Sequence, residues 1–464
     1  MSSEQGLDVL NTENRKPETE NRPSVYAVSL GCAKNLVDTE IMLGRLTQGG
    51  WQVAAAPEAA ELLLVNTCAF IQDACQEAVD TVLELARHKE ADPSKRLVVA
   101  GCLVQRFGEA LAAALPEADY LIGVHNFPDL VKIVGQRPGA NAPRLFHLAP
   151  PYAYPGPEAR YPATPPHLAY LKIAEGCSHR CTFCVIPRIR GPYRSRPLET
   201  LVAEAGELAA AGVKELILVA QDTTAYGAEL PGHPGLPALL RGMGAIPGFH
   251  WIRLLYGYPT RITQELLEVM AAEPRICPYL DLPIQHGHDE VLRRMGRGYS
   301  RAQIIDLVRL IREVLPGATL RTTVLAGFPG ETETHFQALR ELLEELRFDH
   351  LGVFIYSPED GAAASHLPGK VPRRLARRRA RMLKALQAGI VKARLKALVG
   401  TVQPVLVEGE SPESEYLLSG RLISQAPEID GQVYLTAGQG RVGEVQAVRL
   451  TRALPYDLLG EIVS

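Results

Sequence analysis

The sequence predicts an α/β chain of three successive domains: a parallel-sheet α/β domain over residues 23–136, a partial TIM-like (βα)6 barrel over 166–398, and a small antiparallel β-barrel over 399–464. Three observations predict this. Short apolar runs alternate with helix-period stretches through the first two regions, the pattern of parallel strands joined by helices. Residues 137–165 are rich in Pro, Ala, Gly and Tyr with little periodicity, and are expected to form a linker. From Thr401 onward the pattern changes to short β-like runs separated by Gly, Pro and Glu.

In the first domain, Val25–Ser29 is a β-rich run ending at Gly31 and Cys32, followed by a helix-like stretch over 35–48 that Gly49 and Gly50 close. Leu62–Val65 ends at Asn66, Thr67 and Cys68, and residues 73–88 are again helical by period. Leu97–Ala100 ends at Gly101 and Cys102. Three cysteines are thereby placed just past the carboxyl ends of three strands, the edge where open α/β sheets bind ligands. In the second domain the strand runs are 168–174, 215–220, 251–256, 279–282, 319–326 and 351–355, each but the last followed by a plausible helix. Functional residues are expected at the carboxyl rim of those strands. Residues 373–396 are helix-prone and strongly basic, without a single acid. Their exposed side is read either as a solvated or domain-packing face or as a contact for RNA.

With 464 residues, 46% of them hydrophobic, the chain has room for two or three cores. A formal net charge of −3 implies no global pull toward nucleic acid or anionic membrane. No apolar run is long enough to cross a bilayer. Residues 1–22 lack the apolar segment of a secretion signal and are expected to be a disordered leader. The expected location is the cytoplasm, where cysteines stay reduced and act as ligands or nucleophiles.

There are eight cysteines, and by chance a Cys-x3-Cys-x2-Cys spacing is expected only roughly 0.002 times in such a chain. Cys177, Cys181 and Cys184 show it. Three thiolates can hold three irons of a [4Fe–4S] cube and leave the fourth iron open, as a catalytic metal site requires. An open iron can chelate the amino and carboxylate groups of S-adenosylmethionine (SAM), whose reductive cleavage yields a radical able to take hydrogen from an unactivated C–H bond. A structural zinc site would need a fourth ligand, and His179 is awkwardly placed inside the loop. Cys32, Cys68 and Cys102 lie at equivalent strand ends and could converge on a second cube; buried structural thiols are the plainer alternative. Cys75 and Cys277 lack that context and are expected to be core or surface thiols.

The Cys177–Cys184 run, with Phe183 before its last cysteine, resembles the radical-SAM signature. Together with Ser29-Leu-Gly-Cys-Ala-Lys-Asn-Leu-Val-Asp38, Val65-Asn-Thr-Cys68, Gly101-Cys-Leu-Val-Gln105 and Glu175-Gly-Cys177, it resembles the methylthiotransferases, over essentially all of the chain after the leader. The resemblance implies a transferase of sulfur-containing groups with two [4Fe–4S] clusters and SAM as cofactors. Cys177, Cys181 and Cys184 would hold the SAM-cleaving cluster, and Cys32, Cys68 and Cys102 an auxiliary cluster where sulfur is delivered and methylated. Phe183, Gln221, Asp222, Gln285, Gly327 and Glu331 are candidate SAM contacts, the alternatives being ordinary loop polar groups at 221, 222 and 285 and a plain tight turn over Gly327–Glu331; His286 and His288 are expected on the rim or surface. No protein acid or base is assigned.

One branch of the family acts on tRNA beside the anticodon, another on the β-carbon of an aspartate in small-subunit ribosomal protein S-twelve. Asn66-Thr-Cys-Ala-Phe-Ile71, Gln221-Asp-Thr-Thr-Ala-Tyr-Gly227, Leu255-Tyr-Gly-Tyr-Pro259, Arg321-Thr-Thr323 and Ala426-Pro-Glu-Ile-Asp-Gly431 resemble the second branch. The C-terminal barrel resembles a TRAM domain, a module often used on RNA. Here, however, it carries nine acids against four arginines. An acidic barrel suits a basic protein partner better than phosphate. The expected partners are the ribosomal protein, met free or on the small subunit, an electron donor and a sulfur source. The alternatives are a tRNA methylthiotransferase and a non-catalytic iron–sulfur carrier.

Overall fold

The computed structural model describes residues 22–136, 144–152, 154, 156–411 and 414–463. Nearly all of the expected leader, and 137–143 of the expected linker, lie outside the described residues. The chain forms two compact units. The first runs to Pro165 and adds Tyr170–His179 and Cys184–Arg196; the second takes Pro166–Ala169, Arg180–Phe183 and everything from Pro197.

The first unit is built on β1 (Ser24–Ser29), α1 (Ala33–Gln48), β2 (Gln52–Val53), β3 (Leu62–Thr67), α2 (Gln72–Ala91), β4 (Arg96–Gly101), α3 (Cys102–Ala114), β5 (Tyr120–Ile122), α4 (Leu130–Val134) and β6 (Arg144–Phe146). Its sheet has the order β2-β1-β3-β4-β5-β6, with every ladder parallel. β3 is buried at all six positions, as a parallel strand covered on both faces must be. Each of its four apolar side chains contributes about 1.5–3 kcal/mol by burial, which fixes the strand without any alternation. α1 covers the sheet with Leu36, Val37, Ile41, Met42, Leu43 and Leu46, and α2 with Ala78, Val82, Leu85 and Ala86.

The expected linker is corrected here. β6 lies within it and is the sixth strand of the sheet. The residues after it are strapped down: Glu40 accepts from Arg160 Nε at 3.0 Å and from the Ala163 amide at 2.9 Å. Arg45 bonds Tyr152 and Glu158. Without periodic apolar residues, these long-range polar contacts gave no pattern to read.

The next elements are β7 (Leu168–Lys172), β8 (Ala174–Glu175), α5 (Ile186–Arg190) and β9 (Arg194–Ser195). Then follow α6 (Leu198–Ala210), β10 (Glu215–Val219), α7 (Gly235–Gly244), β11 (Trp251–Leu254), α8 (Gln264–Ala272), β12 (Tyr279–Asp281), α9 (Asp289–Arg294), α10 (Arg301–Val314), β13 (Thr319–Ala326), α11 (Glu333–Leu346), β14 (His350–Ile355) and α12 (Arg373–Leu398). The strands form two triplets, β11-β10-β7 and β12-β13-β14, with the β10–β11, β12–β13 and β13–β14 ladders parallel. A bridge from Ile252 to Ile276 and the bond from the Gly257 amide to Asp281 O join the halves. Contrary to expectation the last strand also has its helix. α12 buries Ala376, Ala380, Leu383, Ile390, Val391 and Leu395 along one stripe, while Arg373, Arg374, Arg377, Arg378, Arg381, Lys384 and Lys392 stay exposed.

β15 (Val402–Ser411), β16 (Ser414–Leu422), β17 (Val433–Ala437), β18 (Val445–Ala453) and β19 (Leu458–Ile462) close a barrel in the order β15-β16-β17-β19-β18. One ladder corrects the antiparallel expectation: β17 and β19 run parallel, because β18 pairs β15 across the barrel before the chain returns. Buried charges fasten this barrel to the amino ends of the larger barrel's strands. Arg421 bonds Glu215 and, at 2.7 Å, Glu408, while Arg253 meets Glu215 from the other side at 2.7 Å. Asp430 accepts from Tyr279 at 2.6 Å and pairs with His350 at 3.2 Å. Glu408 and Asp430 thus do not count toward an acidic outer surface.

Candidate metal centre

Cys32 caps α1, Cys68 follows β3 directly, and Cys102 opens α3 at the end of β4. The order β2-β1-β3 makes the gap between β1 and β3 the topological switch point, where crevices open at carboxyl ends. Two glycines let the loops touch. Gly31 has φ +94°, and a Cβ there would stand 2.6 Å from Cys68 Cβ. Gly101 has φ +98°, and a Cβ there would stand 2.3 Å from Asn66 Oδ1. Only glycine combines that backbone with that approach. Asn35 then ties the loops together: its Nδ2 donates to Leu30 O at 2.9 Å and Thr67 O at 3.0 Å, and its Oδ1 lies 3.9 Å from Cys102 Sγ.

The three thiols feel one another. Burial, then Cys102 and Cys32, push the Cys68 thiol up to about 12. Burial also raises Cys102. Burial acts to raise Cys32 as well, but Lys34, Arg190 and backbone amides hold it below its ordinary value. The three loops abut and share a cation.

That cation is Arg190, and it was not foreseen from the sequence. Its side chain is wholly buried. Nη1 donates to Asp38 Oδ2 at 2.9 Å and to Glu175 Oε2 at 3.0 Å, and Nη2 to Asn35 Oδ1 at 2.6 Å and Cys102 Sγ at 3.3 Å. Lys172 completes the cage, bonding Asp38 and, at 2.7 Å, Glu175 Oε2. Burial disfavours the charge of Arg190, yet Cys102, Glu175 and Asp38 raise its pKa well above the ordinary arginine value. Asn35, Asp38 and Glu175 belong to the motifs recognised in the sequence; Arg190 lies 88 residues from Cys102 and carries no local signal.

The second cysteine loop has contacts of its own. The Cys177 amide donates to Gly191 O at 3.0 Å, and Cys184 Sγ accepts from the Ile186 amide at 3.5 Å. Cys181 Sγ accepts from Arg297 Nη1 at 3.3 Å, another residue not foreseen. Arg297 is itself clamped by Tyr299 at 2.6 Å and Pro283 O at 2.7 Å, with the Tyr258 ring 4.2 Å away. Phe183 packs against Val291, Met295, Phe328 and Ala364. None of the eight cysteines is in a disulfide, and Cys277 is a buried core thiol.

The expected rim residues divide. Gln221 and Gln285 are half-buried past β10 and β12, and Gln285 takes the left-handed φ of +68°. Tyr256, past β11, does the same at +63°. Such strained positions cluster at functional rims. Three of the candidates have partners within the protein. Asp222 is buried and spends Oδ1 on the Thr224 amide and hydroxyl. Glu331 is enclosed, with Oε2 on the Gly327 amide at 2.9 Å and Oε1 on Arg379 at 2.6 Å. A Cβ at Gly327 would strike Ala376 at 2.4 Å, so its bareness serves α12. Of the histidine pair, His286 is fully buried, 3.6 Å from Glu331, rather than on the rim. His288 caps α9 and stacks on His335.

Among the described residues, no three His, Cys, Asp or Glu side chains stand close enough to share one metal ion. A cube spreads its thiolates wider than a single ion does. Arg190 donates to Cys102 Sγ and Arg297 to Cys181 Sγ, and cysteine thiolates are the donors that iron–sulfur clusters take.

Matches to known families agree with this architecture. Residues 171–343 match the Radical SAM superfamily, residues 24–123 the Uncharacterized protein family UPF0004, and residues 399–463 the TRAM domain. In structure the chain resembles the radical S-adenosylmethionine methyltransferase TsrM from Kitasatospora setae, solved with cobalamin and a [4Fe–4S] cluster. The TM-score is 0.54 at 19% identity, over 73% of this chain and 76% of that one, a likeness of fold. The fold and site thus define a radical-SAM iron–sulfur enzyme. The chain is 46% identical to the ribosomal protein uS12 methylthiotransferase RimO of Geobacter sulfurreducens, over 96% of this chain and 99% of the relative. It is 47% identical to that of Trichlorobacter lovleyi, over 95% and 98%. The chain belongs to the ribosomal protein uS12 methylthiotransferase (RimO) family.

Proposed function

We infer that the chain is a radical-SAM methylthiotransferase that replaces a C–H bond by C–S–CH3 at the β-carbon of an aspartate in ribosomal protein uS12. The observation that carries this is kinship along nearly the whole chain with uS12 methylthiotransferases. Two [4Fe–4S] clusters and SAM, when bound, supply hydrogen abstraction and the place from which sulfur is delivered. In this reading Cys177, Cys181 and Cys184 hold the SAM-cleaving cluster, and Cys32, Cys68 and Cys102 the auxiliary one. Phe183 seats the Cys177–Cys184 loop, and Gln221 and Gln285 offer amides to SAM. A cytoplasmic reductant and a sulfur source complete the turnover; no helix among the described residues is long and apolar enough to cross a membrane.

Mass spectrometry of ribosomal proteins and tRNA from a deletion strain tests the substrate. The methylthio mass is expected to vanish from uS12 while tRNA stays unchanged. Loss from tRNA alone would restore the tRNA alternative, which the relatives do not favour.

The exposed cations of α12 support a substrate met on the small subunit, since an acid-free helical face suits RNA phosphates. Replacing Arg373, Arg374, Arg377 and Arg378 by Gln is expected to weaken binding to small subunits about 10–100-fold and flatten its salt dependence. Binding equal to wild type at every salt concentration would make the face merely solvated.

A further inference from the structure

We propose that Arg190 is the positioning residue of the auxiliary cluster, holding the Cys102 sulfur by a charged N–H···S bond and thereby setting the cluster's reduction potential. This rests on the reading that Cys32, Cys68 and Cys102 hold that cluster.

The geometry separates the two edges of the guanidinium. One edge is anchored: Nη1 lies between Asp38 at 2.9 Å and Glu175 at 3.0 Å, and Lys172 holds both carboxylates from behind. The other edge is presented: Nη2 reaches Cys102 Sγ at 3.3 Å, with Asn35 Oδ1 at 2.6 Å fixing its angle. Two carboxylates balance the lysine and the arginine, so the cage is neutral as a whole. Its one donor aimed at sulfur is nonetheless a cation in a buried site, where a charged bond is strongest. Four partners for one side chain are more than anchoring needs. Without Arg190 the two carboxylates would face Lys172 alone and leave the buried cage with one net negative charge.

Reduction adds negative charge to a cluster and its thiolates. A donor fixed on a ligand sulfur stabilises the reduced state more than the oxidised one, and hydrogen bonds to sulfur are a main lever on cluster potential. Arg190 also comes from the other cysteine loop. α5 begins with the Ile186 amide on Cys184 Sγ and ends with the Arg190 side chain on Cys102 Sγ. A single five-residue helix therefore touches a sulfur of each cysteine set.

The test is an EPR-monitored redox titration of the reconstituted holoenzyme as wild type, Arg190→Gln and Arg190→Lys, with iron counted for each. The SAM-responsive signal serves as internal reference. In Arg190→Gln the auxiliary potential is expected to fall while the reference stays put, and Arg190→Lys, which keeps charge but not the fork, is expected to lie between. An auxiliary potential equal to wild type in a fully loaded variant overturns the proposal. If Arg190→Gln cannot be loaded, Arg190→Lys decides by the same criterion. Cys102→Ala separates the two layers. Full iron in that variant sinks the cluster assignment itself, whereas iron halved there with an unmoved potential in the Arg190 variants sinks only the role of Arg190.

Discussion

Cys32→Ala is expected to leave reductive SAM cleavage within about twofold of wild type while lowering methylthio formation by about 1000-fold or more, a barrier increase of ~4 kcal/mol. The separation follows from how the loops are held. Cys32 sits at the start of α1 against Cys68, whereas the amide of Cys177 and the sulfur of Cys184 are fixed by Gly191 and Ile186 within their own loop. Taking away one of three thiolates should cost the auxiliary cluster, so iron should drop from about eight to about four per chain. Substrate-free assays for 5′-deoxyadenosine and methionine, run beside mass spectrometry of uS12, read the two activities apart. SAM cleavage lost together with sulfur transfer would show that the Cys32 loop supports the whole enzyme rather than one cluster.

Cys177→Ala is expected to do the converse damage and more. SAM cleavage should fall by about 1000-fold or more, and methylthiolation with it, because no C–H bond can be opened. Iron should again fall to about four per chain, now from the other cluster. The Arg190 cage is anchored outside that loop, by Asp38 on α1 and Lys172 on β7, so the remaining iron should stay bound. Iron halved by Cys177→Ala but untouched by Cys32→Ala would refute an auxiliary cluster on the three strand-end cysteines.

Much of this site was legible in the sequence because it is local. Gly31-Cys32 and Gly101-Cys102 each put a turn residue beside a ligand at a strand end, and the Cys177–Cys184 spacing is a motif in itself. The six apolar runs of the larger barrel were likewise self-contained. The rest depended on contacts with no local pattern. Arg190 meets Cys102 across 88 residues and Arg297 meets Cys181 across 116. β2 has two residues and β6 three, too short for any period. Asp222 and Glu331 stand at the expected strand ends, and the sequence did not show that capping and ion pairing inside the protein engage their oxygens. Loop sequence alone does not show which way a carboxylate turns.

The charges beneath the larger barrel bear on modularity. A small β-barrel at the end of a chain looks like a cassette that recombination could swap. Here Arg421 answers Glu215, and Asp430 answers Tyr279 and His350. A barrel grafted from an unrelated protein would leave a buried glutamate facing Arg253 alone, and breaking one partner from such a pair costs about 3–5 kcal/mol. A swapped barrel is therefore expected to seat on the larger one only when its donor brings residues equivalent to Arg421 and Asp430.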